Sequence, residues 1–213
     1  MKNLYIFSGL GVDQRVFKYL DFTGFNVTFI NWIKPTPTES IEDYAKRLTT
    51  QIYTKKPVLI GLSFGGMMAV EVAKLISTQR IILIASAKTY TEIPFYFRWL
   101  GYLKMHKIIP TQLLKYPGFI NYWFFGVKNK VHKALLAEIL NDLDTDFLKW
   151  AIDKIVCWQN QTMHSNTIHI HCNNDHILPL RYINCNYIVS KGGHFMTVDK
   201  AKQISQLLHK ILS

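Results

Sequence analysis

Val58-Leu59-Ile60-Gly61-Leu62-Ser63-Phe64-Gly65-Gly66 joins a short apolar run to a serine flanked by glycines, and the residues through Ile76 then suit a helix. Strand, sharp turn and helix are the setting in which Gly-x-Ser-x-Gly acquires chemical meaning. Small residues at 61 and 65 let the backbone fold tightly, so Ser63 can sit on a strained turn with its hydroxyl beside a helix N-terminus. At this chain's own glycine and serine frequencies about 0.02 matches arise by chance, so the pattern is specific enough to organise the rest of the sequence around it.

Five further runs share the character of Val58–Ile60: residues 4–7, 27–30, 81–84, 168–171 and 187–189 are apolar, rich in β-branched or aromatic residues, and bounded by turn residues. Their continuous apolarity implies burial on both faces, as in a parallel sheet. Helical spacing covers residues 40–54, with Ser40-x-x-Asp43 as a capping pair, and also 65–76 and 200–212. Strands alternating with helices predict a doubly wound, mostly parallel six-stranded α/β domain. The alternation stops at Ala85 and resumes at Thr167. Between them lie helical patterns broken at Pro94, Pro110 and Pro117-Gly118. This divides the chain into a core of residues 1–86 and 165–213 and an inserted helical lid, residues 87–164, above the sheet's carboxyl edge.

A serine hydroxyl needs a general base, itself oriented by a third group. The fifth strand leads into Asn173-Asn174-Asp175, and the sixth into Gly192-Gly193-His194. Each lies on a loop just past a strand, so Ser63, Asp175 and His194 should meet at one edge of the sheet. His176, beside the acid in an irregular loop, is the poorer candidate base. His169-x-His171 has a spacing that metal sites use, but without a second ligand cluster it reads as a packed pair, and no metal is expected. Asp13 and Arg15 read as a surface turn, with substrate positioning as the alternative.

Composition narrows the class. The 213 residues are 49% hydrophobic and 18% charged, enough for a full core and incompatible with disorder. Cys157, Cys172 and Cys185 are odd in number and lack a Cys-x-x-Cys pair, which predicts free thiols in a reducing compartment. The opening residues contain an apolar run of only four, too short for a leader peptide, and no segment nears the roughly 18 apolar residues of a membrane span. These features predict a cytoplasmic address. No phosphate-binding loop or dinucleotide fingerprint is present, so no cofactor is expected. The net charge of +11 favours an anionic partner, and residues 88–133 concentrate it, with eight basic residues against Glu92 alone. No nucleic-acid motif accompanies that charge.

Taken together, Phe7-Ser8-Gly9-Leu10-Gly11 after the first strand, the Ser63 elbow, the Asn-Asp-x-x-x-Pro loop with Asp175, and Gly-Gly-His194-Phe resemble the α/β-hydrolase superfamily over essentially the whole chain. The chain departs from it in lacking two N-terminal edge strands, in a short interval between Asp175 and His194, and in Ser8 where many relatives carry histidine. The resemblance implies a serine hydrolase acting on an ester or thioester, with oxyanion donors from the backbone N–H groups of Phe64 and Leu10, Gly11 being the alternative to Leu10. The lid is coarsely similar to those of small carboxylesterases and thioesterases, including pimeloyl-acyl-carrier-protein methyl esterases. That likeness suggests a small-molecule substrate with an apolar acyl group, and the basic excess of residues 88–133 suggests an acidic acyl carrier protein as partner for the lid, with a solvated lysine surface as the alternative. A receptor without turnover, or a cofactor-independent lyase, perhydrolase or carbon–carbon hydrolase, fits the same residues. From Tyr90 to Phe125 there are twelve aromatic residues in 36, against about five at the chain-wide 14%. Most should dock the lid onto the core, others line an acyl pocket, and a membrane-resting role for 119–125 is the less favoured alternative.

Overall fold

A computed structural model describes residues 1–10 and 12–213. Six strands form one sheet: β1 (Lys2–Phe7), β2 (Phe25–Phe29), β3 (Val58–Leu62), β4 (Arg80–Ile84), β5 (Thr167–Cys172) and β6 (Tyr187–Val189), in the order β2-β1-β3-β4-β5-β6. Every pairing is parallel, from Leu4 opposite Val58 to Ile170 opposite Tyr187. All carboxyl ends therefore lie on one edge. The winding direction reverses between β1 and β3, which opens a crevice outside their carboxyl ends, where such sheets bind ligands.

Alternate residues of the strands feed two cores. Leu4, Ile6, Val58, Ile60, Ile82 and Ile84 belong to one, with Ile204, Leu208 and Ile211 of helix α9 (Ala201–Leu212). Tyr5, Phe7, Leu59, Ile81 and Leu83 belong to the other, with α1 (Ile41–Leu48) and α2 (Phe64–Ala73). Each buried Ile or Leu on α9 contributes about 1.5–3 kcal/mol, more than helix propensity supplies. All ten residues of α2 are buried, including Glu71, whose carboxylate accepts from Lys74 Nζ at 2.7 Å and from the Trp158 indole N–H at 2.8 Å.

The end of the helix over 40–54 and the burial of β2 differ from the sequence expectation, each for a local reason. The helix over 40–54 ends at Leu48 and tightens into a 3₁₀ turn over Thr49–Gln51, because the Thr49 and Thr50 hydroxyls bond back to the carbonyls of Lys46 and Arg47. Strand β2 is an edge strand with alternating exposure; Phe25, Val27 and Phe29 face the core while Asn26 and Thr28 are exposed. The Ser40 cap is present, accepting from Asp43 N–H at 3.0 Å.

Between β4 and β5 run α3 (Phe95–Tyr102), α4 (Thr111–Lys115), α5 (Phe119–Phe125), α6 (Lys130–Asp142) and α7 (Thr145–Val156). Asn129 caps α6 and Asp144 caps α7, each accepting a backbone N–H at 2.7 Å. The last two helices straddle the sheet. Leu136 and Ile139 of α6 enter the first core, while Phe147, Trp150 and Ala151 of α7 enter the second. Trp150 also donates its indole N–H to the Glu39 carbonyl at 3.1 Å. A short helix α8 (Met196–Asp199) precedes α9. Among the described residues, no helix is long and apolar enough to cross a membrane.

Candidate active site

Ser63 links β3 to α2 with φ 52° and ψ −123°, a region that non-glycine residues enter at a cost of about 1–3 kcal/mol. Neighbours hold it there. Its N–H donates to the Ile84 carbonyl at 2.9 Å, and its own carbonyl accepts the Ser86 hydroxyl at 2.6 Å and Gly66 N–H at 2.9 Å. A side chain at Gly61 would fall on the backbone of Gly65 and Gly66, and one at Gly65 on the carbonyls of Phe7 and Ser8. The motif's glycines therefore serve close approach. That approach draws the loop after β1 against the elbow: a Cβ built on Gly9 would lie 3.4 Å from Ser63 Cβ. Leu10 and Phe64 thus sit on two segments that meet at the serine. Phe64, first residue of α2, has no helical carbonyl four residues back for its N–H. Gly11, the alternative to Leu10, lies outside the described residues.

His194 Nε2 lies 2.8 Å from Ser63 Oγ, and His194 Nδ1 lies 2.7 Å from Asp175 Oδ2. Both contacts are satisfied when Nδ1–H donates to the carboxylate and Nε2 accepts the serine hydroxyl. The other carboxylate oxygen accepts the N–H groups of Ile177 and Leu178, each at 2.8 Å. Burial pushes the Asp175 pKa upward, but the charge and hydrogen bond of His194, then His171 and the Leu178 N–H, outweigh it and hold the carboxyl below its ordinary value. The two loops are tied together. Asn174 N–H donates to the Gly192 carbonyl, and Lys191 N–H to Asn173 Oδ1 at 2.8 Å.

His176 turns away from this group; its Nδ1 meets the Trp123 carbonyl at 2.6 Å and its ring stacks on that indole at 4.2 Å. Arg15 bonds Asp13 at 2.9 Å and Asp142 at 2.8 Å, pinning the turn after the first loop to the end of α6. His169 and His171 are fully buried with ring centres 5.3 Å apart. His171 Nε2–H donates to the Leu178 carbonyl at 2.8 Å and lies 3.7 Å from Asp175 Oδ2, so this pair backs the acid's loop. Neither nitrogen of His169 has a hydrogen-bond partner among the described residues, and burial lowers its pKa well below the ordinary value, with the charges of His171 and Lys88 acting in the same direction.

Among the described residues, the group of three side chains spaced for a metal is His106, Asp153 and Cys157. Lys107 at 3.6 Å and Lys154 at 3.1 Å already face the Asp153 carboxylate, and their charge opposes a cation. His106 Nε2 meets Asp153 at 2.9 Å across 47 positions, a pairing that no sequence pattern signals. Ser86 is likewise unmarked in the sequence, because its role comes from the strand beside Ser63.

An apolar cavity of about 640 Å³ opens between the insertion and the core, bordered by Leu10, Phe97, Leu100, Phe125, Ile155 and Ile177. It adjoins the serine's neighbours: Phe125 sets its ring edge toward His194 with centres 5.8 Å apart, and Ile177 donates its N–H to Asp175. A second hollow of about 520 Å³, with Lys34, Lys107 and Lys149 on its rim, lies behind a wall shared through His106, Ile109, Leu114 and Ile152.

No protein-family model matches the sequence, and no curated protein matches it. Solved structures do. A hydrolase from Pseudomonas aeruginosa superposes with a TM-score of 0.75 at 14% identity, covering 100% of this chain and 90% of its own. A lipase-esterase related protein from Clostridium acetobutylicum gives 0.69 at 16%, covering 99% and 94%. A thermophilic esterase from Thermogutta terrifontis gives 0.68 at 16%, covering 100% and 89%. At such identities the likeness speaks for architecture: the chain has the α/β-hydrolase fold.

Proposed function

We propose that this chain is a serine hydrolase that cleaves a carboxylic ester or thioester through an acyl-enzyme. The observation that carries the proposal is the unbroken hydrogen-bonded path from Asp175 through His194 to Ser63, ending on a strained elbow beside an apolar cavity. Ser63 Oγ attacks the substrate carbonyl as His194 Nε2 takes its proton. The ionised Asp175 carboxylate, held low by its partners, stabilises the imidazolium that forms. The N–H groups of Phe64 and Leu10 receive the developing oxyanion, each donor being worth about 10²- to 10³-fold in rate. His194 returns the proton to the departing alcohol or thiol, and then activates a water to release the acid. The acyl group lies in the 640 Å³ cavity, and residues 87–164 act as the lid over it.

The test is hydrolysis of p-nitrophenyl esters and acyl thioesters of increasing chain length by the wild type and by Ser63→Ala. Turnover in the wild type, reduced at least about 10⁴-fold in the variant, supports the nucleophile assignment. Labelling of Ser63→Ala by a fluorophosphonate as readily as the wild type, or equal turnover by both proteins, overturns it.

A further inference from the structure

The exposed apolar faces of α3 and α5 carry none of the groups that perform the proposed reaction. On α3, Phe95, Trp99 and Tyr102 recur at helical spacing and are exposed; on α5, Phe119, Ile120 and Trp123 do the same, and the turn after α3 adds Met105 and Ile108. Tyr102 is 85% exposed and Phe119 82%. Apolar exposure grouped in this way marks an interaction surface. Both helices border the acyl cavity, and Leu113, Tyr116, Phe119 and Ile120 are at once cavity lining and exposed surface, so the cavity's mouth opens within this apolar face. Lys104, Lys107 and Lys128 are exposed along the same stretch, whose single acid, Glu92, is buried.

We propose that this face is an interfacial docking surface for an anionic lipid membrane, on which α3 and α5 rest in the headgroup layer with the cavity's mouth toward the acyl chains. The composition matches that environment. Trp and Tyr rings place an apolar body and a polar tip across the boundary, and lysine stems reach from apolar surface to the lipid phosphates. A second copy of the chain would bring the same lysines opposite these, which opposes self-association. An acidic carrier protein answers the charge but would need a groove shaped to outlying side chains such as Ile108 and Phe119, whereas lipid conforms to any contour.

The inference does not depend on ester cleavage, so binding is measured on Ser63→Ala protein by co-sedimentation with vesicles. Phosphatidylcholine vesicles containing phosphatidylglycerol should capture it, and added salt should weaken the capture. Tyr102→Ser with Ile108→Ser, both outside the cavity lining, should lower the partition constant about tenfold or more, as should Lys104→Glu with Lys128→Glu. Circular dichroism of each variant, and hydrolysis of a soluble short ester by each in the Ser63 background, should remain as in the parent. Three results would overturn the proposal: a folded protein that ignores anionic vesicles at low salt, capture indifferent to both pairs of substitutions, or binding to an acidic acyl carrier protein or a second copy through these residues with no capture by lipid.

Discussion

Around Ser63, His194 and Asp175, every side-chain oxygen and ring nitrogen has a hydrogen-bond partner within 2.8 Å, and the backbone is locked by glycines that leave no room for a Cβ. Around the mouth of the cavity, by contrast, α3 to α5 meet the core through apolar surface and leave Trp99, Tyr102, Tyr116 and Phe119 exposed. The first region is directional: each bond has one partner and one geometry, so a single atom changed there is decisive. The second is additive, since apolar contact scales with area and any one residue carries a small share. In the proposed hydrolase, reaction type would belong to the first region and choice of acyl group to the second.

The comparison breaks most visibly at the acid. Asp175→Asn keeps the shape of the site but removes the charge facing His194 Nδ1, so kcat should fall about 10³- to 10⁴-fold with little change in KM, measured on a soluble ester. A fall below about tenfold would mean that the loop geometry alone orients the imidazole.

A smaller effect is expected from the buried histidine behind that loop. His169 is held neutral when folded, while in the unfolded chain it takes a proton near pH 6.5; as pH falls below that value the unfolded state binds more protons and stability drops, by up to about 1.4 kcal/mol per pH unit. His169→Leu should therefore flatten the decline of the melting temperature between about pH 6.5 and 5. Asp175 does not contribute in that window. The stability from its depressed pKa is fully present above the unfolded value near 3.9 and is lost below it, as pH falls through the lower folded value. An unchanged slope in His169→Leu would place the acid sensitivity elsewhere.

The smallest effect belongs to the cavity. Leu100→Trp should shorten the preferred acyl chain, lowering kcat/KM for long esters about tenfold while short esters change less than about threefold. Equal losses at every chain length would detach the cavity from substrate binding and leave the directional region as the whole of the site.

Legibility in the sequence divided along the same line. The strands and the helix after Ser63 could be read because their signals are local: apolar runs, a turn and a change of period within a few residues. The full burial of α2 could not, since Phe-Gly-Gly-Met-Met-Ala-Val-Glu-Val-Ala carries an interior Glu71 whose indole partner lies 87 positions away. The aromatic stretch was misleading for another reason. Most of the twelve large rings read as docking the lid onto the core and the others as pocket lining, yet Phe95, Trp99, Tyr102, Tyr116, Phe119 and Trp123 are all at least half exposed, because a helix one layer thick over a cavity has an outer face as well as an inner one.

By itself the amino-acid order determined the parallel α/β architecture, the tight elbow at Ser63, and the placing of Asp175 and His194 on loops after strands, because each rests on local backbone preference and on the shared direction of parallel strands. Tertiary structure decided the rest: that Ser86 and Ile84 pin the elbow, that His171 and two backbone N–H groups back Asp175, and that the insertion turns one apolar face to a cavity and another to solvent. Those are relations between segments far apart in the chain, and only packing in three dimensions chooses among the many partners that the same residue types allow.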